Sequence, residues 1–232
     1  MSRERTRKPL VRNGAARRFK LIVFDWDGTL ADSTAIIAQS IQAACRDIGE
    51  PAPDDIAARY VIGLGLADAL RHIAPALFAD RHHELAARYR HHYLAHDSSI
   101  PLFDGARELL SALGTAGYLL AVATGKSRIG LDRALIANEL EGQFDATRCA
   151  DEGFPKPHPA MLLHLMDRLA VTPSETLMVG DTTHDLELAR NAGTSAIAVS
   201  YGAHAASGLA QLSPLATVHS MGELDAWLRA FA

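Results

Sequence analysis

LIVFDWDGTLADST, residues 21–34, runs four apolar residues into two aspartates separated by a single residue. A short continuous apolar run that stops at a turn signal describes a strand of a parallel sheet, covered on both faces. Extended by one residue at each end it is KLIVFD (20–25), and three later runs share its character: YLLAVAT (118–124), TLMVGD (176–181) and AIAVSY (196–201). Helical patterns lie between them. DGARELLSALGTAG (104–117) sets Leu109, Leu110 and Leu113 on one stripe, opens on an acidic cap candidate and closes on Gly117. SRIGLDRALIANEL (127–140), PAMLLHLMDRLA (159–170) and HDLELARNAG (184–193) follow the same plan. Strands alternating with helices predict an α/β protein with a doubly wound parallel sheet.

One segment departs from this alternation. Residues 33–100 carry helical patterns, such as TAIIAQSIQAACRDI (34–48) and HHELAARYRHHYLAH (82–96), but no convincing strand. Pro51 and Pro53 punctuate the interior and Pro101 the exit. The expected organisation is a basic tail over 1–19, a core made of 20–32 and 101–232, and an inserted helical domain over 33–100. An insertion that emerges directly after the aspartate pair is placed to act as a lid.

The 232 residues, 48% of them hydrophobic, suffice for one large core, or for a core with a small second one. Cys45 and Cys149 have neither CxxC nor metal spacing, which argues against a disulfide framework or zinc ribbon and for a reducing, cytoplasmic setting. No apolar run approaches the roughly 20 residues of a membrane helix, and the basic N-terminus lacks the apolar stretch of a signal peptide. Residues 1–20 hold eight of the 23 lysines and arginines and one acid, Glu4, leaving an acidic body. A short basic arm on an acidic body is expected to be solvated rather than to bind nucleic acid. Beyond residue 20 only Lys126 and Lys156 are lysines, which marks both for a task that needs that side chain.

Ligands of open parallel sheets bind outside the carboxyl ends of the strands, where Asp25, Thr124 and Asp181 stand. Residues i and i+2 of an extended segment point the same way, so Asp25 and Asp27 can face one ligand; Asp27-Gly28 is equally a turn signal. Asp185 is either a helix cap or a partner of Asp181. Carboxylates converging to about 5 Å would repel by roughly 3 kcal/mol per pair at an effective dielectric near 20. A cation relieves this, and an all-oxygen donor set favours Mg²⁺. Thr124 and the N–H groups around Gly125 can hold phosphate oxygens. ATGKS is not a Walker A loop, because the GxxxxGK pattern is absent. Lys156 lies between Pro155 and Pro157, and Pro157 is expected to open the next helix.

Taken in order, DWDGTLADS (25–33), ATGKS (123–127), PKPHP (155–159) and VGDTTHDLELARNAG (179–193) resemble the four motifs of the haloacid dehalogenase superfamily, in its phosphoglycolate-phosphatase-like branch. The resemblance implies a Rossmann-like core with a helical cap and a Mg²⁺-dependent phosphatase acting on a small phosphorylated metabolite, 2-phosphoglycolate being the first candidate. It implies Asp25 as the nucleophile that becomes an aspartyl-phosphate and Asp27 as the acid/base. Thr124, Gly125 and Lys156 would hold the phosphoryl group. Asp25, the Asp27 backbone carbonyl and Asp181 would hold Mg²⁺, with support from Asp185. Gly63 and Gly65 in IGLGL are candidate substrate-facing cap positions, against a simple turn. Lys126, Arg128 and Arg71 are candidates for binding a substrate carboxylate, against surface roles. The alternatives are a sugar-phosphate mutase or pyrophosphatase of the same superfamily and, from another class, a phosphoacceptor or binding-only protein. His82, His83, His91, His92 and His96 are expected to form a solvated face, and the molecule to be a monomer or homodimer.

Overall fold

The computed structural model describes residues 18–232, so the expectation for the basic tail lies, but for its last two residues, outside the described residues. Six strands form one parallel sheet: β1 (Leu21–Phe24), β2 (Leu119–Thr124), β3 (Ala146–Cys149), β4 (Thr176–Gly180), β5 (Ser195–Val199) and β6 (Thr217–Val218). Their order is β3-β2-β1-β4-β5-β6. The chain winds outward from β1 to one side and then from β4 to the other, so the order reverses beside β1, where open α/β sheets bind ligands. Phe24 pairs with Val122 and Val179. That register brings Asp25, Thr124 and Asp181 to one edge.

Successive side chains of a strand face opposite ways, and the core divides accordingly. Ile22, Phe24, Leu120, Val122, Leu177 and Val179 pack on one face, with helices α5 (Ala106–Ala116), α6 (Arg128–Ala137) and α10 (Met221–Phe231). Leu21, Val23, Ala121, Ala123 and Met178 pack on the other, against α7 (Ala160–Leu169) and α8 (Thr183–Ala192). Every residue of β1 is completely buried, which is why its sequence is apolar at each position.

Four helices occupy the insertion: α1 (Thr34–Asp47), α2 (Asp55–Tyr60), α3 (Leu66–Ile73) and α4 (His82–Leu94); no strand of the sheet arises there among the described residues. Ile37, Ile41 and Cys45 from α1 and Leu85 and Tyr93 from α4 belong to the same apolar cluster as Phe24 and Leu110 of the core. Hydrophobic burial therefore runs unbroken from the sheet into the insertion.

Three local expectations are corrected. Asp104 does not cap α5; Gly105, at φ 87°, is the N-cap and no side chain caps the helix. Pro157 does not open α7, which starts at Ala160 with Pro159 as its N-cap. The strands β3 and β6 arise where no apolar run marks them. No helix among the described residues is long and apolar enough to cross a membrane.

Candidate active site

The β1 strand delivers Asp25, whose amide donates to the Val179 carbonyl at 2.9 Å. The chain then coils tightly, the amides of Leu30 and Ala31 both donating to the Trp26 carbonyl at 3.0 and 2.9 Å. Gly28 sits in this coil at φ +80°, and a Cβ there would lie 2.2 Å from Oδ2 of Asp181. The Asp-Gly turn is thus also the gap through which Asp181 reaches Asp25. Asp181 accepts hydrogen bonds from Thr29 Oγ1 and from the Ala203 amide, both at 2.7 Å. Carboxylate oxygens of Asp25, Asp181 and Asp185 lie within 4.8 Å of one another.

Lys156 is buried among these acids, its Nζ 2.8 Å from Asp25 Oδ1 and 2.6 Å from Asp185 Oδ1. The other oxygen of Asp185 accepts from the Thr182 amide at 3.0 Å and the Thr182 hydroxyl at 2.7 Å. Asp185 therefore caps α8 and holds Lys156 at once, with both oxygens engaged. Burial works against the charge of Lys156, but Asp185 and Asp25 outweigh it and raise its pKa. Burial likewise pushes the Asp25 carboxyl well above its usual range, Lys156 opposing and Asp185 and Asp181 adding to the rise. Burial and then Asp185 push Asp181 up to about 7.

Both oxygens of Asp25 are buried without a hydrogen-bond donor among the described residues. The Lys156 ammonium stands at ion-pair distance from Oδ1, while Oδ2 has no partner of either kind among the described residues. Orphaned carboxylate oxygens are costly, and three acids converging around them with no thiolate or imidazole in the cluster suit a hard cation such as Mg²⁺. The surrounding backbone makes room for the acids. A Cβ at Gly202 would lie 2.3 Å from Asp181 Oδ2 and one at Gly180 2.3 Å from the Asp185 carboxyl carbon. Gly202→Ala is accordingly expected to displace Asp181 and weaken Mg²⁺ binding at least tenfold. Isothermal titration of the variant with MgCl₂ checks this, and an unchanged affinity would rule out the arrangement.

Asp27 faces a different set of partners. Its Oδ1 accepts from the Ser33 hydroxyl at 2.7 Å and lies 3.0 Å from Lys126 Nζ. Lys126 also donates to the Tyr93 hydroxyl at 2.7 Å, and so ties Asp27 to helix α4 of the insertion. Thr124 is buried at the end of β2, and its Oγ1 accepts from the Lys126 amide at 3.2 Å. A Cβ at Gly125 would lie 2.5 Å from the carbonyl oxygen of Leu64 and 2.6 Å from that of Gly63. The IGLGL segment therefore rests on the core, with Gly63 also against Thr182 and Gly65 against Ala150 and Pro155. A free turn between helices does not describe it.

The two arginine candidates have partners of their own. Arg128 does not line the cavity described below; its guanidinium binds Glu152 and Asp132, both at 3.1 Å. Arg71 is exposed and pairs with Asp68 at 3.2 Å. Two residues without a sequence signal for the role join insertion to core. His184 Nε2 and His204 Nε2 lie 2.8 and 3.0 Å from the same acceptor, the Tyr60 carbonyl oxygen. The Thr183 amide donates to His204 Nδ1 at 3.0 Å, which makes the other nitrogen of that ring the N–H donor. His92 pairs with Asp47 at 2.8 Å on an exposed face.

Between insertion and core lies a cavity of about 720 Å³ whose wall includes Asp27, Gly63, Gly65, Gly125 and Lys126.

Comparison with known proteins places this arrangement in company. A family model described as haloacid dehalogenase-like hydrolase matches residues 22–199. The "Probable phosphatase IndB" of Dickeya dadantii (strain 3937) is 38% identical over 210 residues, 88% of this chain and 91% of that protein. A phosphoglycolate phosphatase of Vibrio vulnificus (strain YJ016) is 32% identical over 206 residues, 80% of this chain and 86% of the other. Among solved structures, a predicted phosphoglycolate phosphatase from Haemophilus somnus superposes with a TM-score of 0.79 at 25% identity, covering 90% of this chain and 98% of that one.

Proposed function

Since the chain belongs to the haloacid dehalogenase-like hydrolase family and is a phosphatase of it, we propose that it hydrolyses a small phosphate monoester in two steps, with Asp25 as nucleophile, Asp27 as acid/base and Mg²⁺ as cofactor. The observation that carries this is Asp25 itself: a buried strand-end carboxylate with Oδ1 2.8 Å from the Lys156 ammonium and Oδ2 without a partner among the described residues.

In the first step an Asp25 oxygen attacks phosphorus, the bond from phosphorus to the ester oxygen breaks, and the Asp27 carboxyl gives that oxygen its proton, releasing an alcohol. In the second, the Asp27 carboxylate takes a proton from water as the water oxygen attacks phosphorus; the bond to Asp25 breaks, and phosphate leaves. Ser33 and Lys126 fix the direction of the Asp27 carboxyl. Lys156, held by Asp185, and the Thr124 hydroxyl with the Gly125 amide stabilise the charge on the phosphoryl oxygens. Asp25, Asp181 and the Asp27 backbone carbonyl would hold Mg²⁺, which when bound lowers the repulsion between the carboxylates and the phosphate. Asp185 holds Lys156 with one oxygen and Thr182 with the other, and supports the site by placing that ammonium. The helical insertion serves as the cap, and the two free buried cysteines suit a cytoplasmic setting.

Phosphate release from 2-phosphoglycolate, sugar phosphates, nucleotides and pyrophosphate, with Mg²⁺ and with EDTA, tests the proposal. Release that stops in EDTA and returns with Mg²⁺ is expected; equal rates in both would remove the metal from the mechanism. A second expectation concerns pH. The folded Asp181 value of about 7 exceeds the ordinary 3.8, so the metal-free folded chain holds more protons than the unfolded one between those values. This group's contribution to stability therefore falls as pH rises from about 4 to 7. Mg²⁺ needs the carboxylates ionised, so protons compete with it below pH 7. The rise in melting temperature on adding Mg²⁺ should be larger at pH 8 than at pH 5.5, and the opposite order would contradict the assignment of Asp181.

A further inference from the structure

We infer that the leaving group of the substrate is an uncharged, largely apolar alcohol of several carbons, bound in the cavity between insertion and core. This deepens the phosphatase proposal and rests on it. The cavity is lined by Asp27, the residue assigned to protonate the leaving oxygen, and not by Asp25, Asp181 or Asp185. It therefore lies on the side of the phosphorus where the departing alcohol must sit. Its size, about 720 Å³, falls within the roughly 300 to 1,000 Å³ of pockets that enclose drug-sized ligands. A two-carbon alcohol would leave most of it to water.

The wall is built for an apolar occupant. Ile37 and Ile41 of α1, Leu64, Leu66 of α3, Tyr89 of α4 and Ile129 of α6 all line it. Ile129 is 70% exposed and can be changed without disturbing the core. The charged groups of the wall are largely committed elsewhere. Lys126 is held by Asp27 and Tyr93, Arg133 by Asp97 at 3.0 Å, and Asp68 by Arg71. The Asp151 carboxylate accepts from the Arg128 amide at 2.9 Å. Arg90 is left exposed. A carboxylate-bearing alcohol such as glycolate finds no buried cation free to receive it among the described residues.

The test is a series of primary alkyl phosphates from ethyl to hexyl, with 2-phosphoglycolate alongside, assayed as phosphate release with Mg²⁺. These alkyl leaving groups are nearly equal in acidity, so differences in kcat/KM report the contact with the cavity. The expected result is a rise of roughly fourfold for each methylene buried, with hexyl phosphate above 2-phosphoglycolate. Leu66→Ser should flatten that slope, and so should Ile129→Ser, whose exposure spares the fold. A flat series, a slope unmoved by Ile129→Ser, or 2-phosphoglycolate preferred to every alkyl ester would overturn the inference while leaving the phosphatase intact. No release from any ester would overturn both.

Discussion

Asp25→Asn is expected to lower phosphate release by more than about 10⁴-fold, the scale on which enzymes lose rate when a covalent nucleophile is removed. The change keeps the size and shape of the side chain, so β1 and its register should be undisturbed. It takes one negative charge from three acids whose oxygens lie within 4.8 Å, and removes a carboxyl whose ionisation burial disfavours. Lys156 keeps Asp185 at 2.6 Å. The variant's melting temperature in EDTA should therefore match or exceed that of the unaltered chain, while its stabilisation by Mg²⁺ shrinks. Phosphate release measured beside thermal melts checks both halves. A rate within tenfold of normal would remove Asp25 from the chemistry, and a collapsed fold would mean that its charge is structural.

Lys156→Met should damage activity and stability together. The methionine fills a similar volume but leaves Asp25 and Asp185 buried without their ammonium, and removing one partner of a buried ion pair costs about 3–5 kcal/mol. The sign with pH follows from the acids. Lys156 now opposes the rise in the Asp25 value that burial causes; without it that value climbs further. A carboxyl with a raised folded value loses stability as pH rises from about 4, so the variant should trail the unaltered chain more at pH 8 than at pH 5. Urea denaturation in EDTA at both pH values measures the gap. Mg²⁺ should narrow it by supplying positive charge, yet leave phosphate release at least 100-fold down because the phosphoryl oxygens still lack the ammonium. A gap that stayed constant with pH would show that Lys156 supports packing only.

The centre of the sheet was legible because burial on both faces keeps the middle of β1, β2 and β4 apolar, and because each run leads straight into a residue of the site: Asp25 after β1, Thr124 at the end of β2 and Asp181 after β4. At the margin that pressure fades. In β3 Thr147 and Arg148 are half-buried, so polar residues are tolerated; β6 has only two residues, too few to form a pattern. Within the site, residue type revealed which groups could bind charge, but not where they would turn. Lys126 and Arg128 stand two apart, one just before α6 and the other its first residue. One reaches Asp27 and Tyr93, the other Glu152 and Asp132, and those partners lie up to 99 positions away in sequence. Pairings of this kind depend on how helices pack, and leave no trace in local spacing. Asp27-Gly28 does form a turn, and the glycine that makes it also clears space for Asp181, which no turn signal in the sequence announces.

The Tyr60 carbonyl has a genetic consequence. The acceptor is main chain, so no codon change at position 60 short of moving the backbone can delete it; replacing the tyrosine removes only the ring stacked on His204. Two donors from separate segments share that oxygen, and losing either imidazole leaves the other in place. The join between insertion and core is thus redundant against single substitutions. Loss of one histidine leaves the other on that oxygen, beside the apolar packing and the Lys126–Tyr93 bond that also hold the insertion.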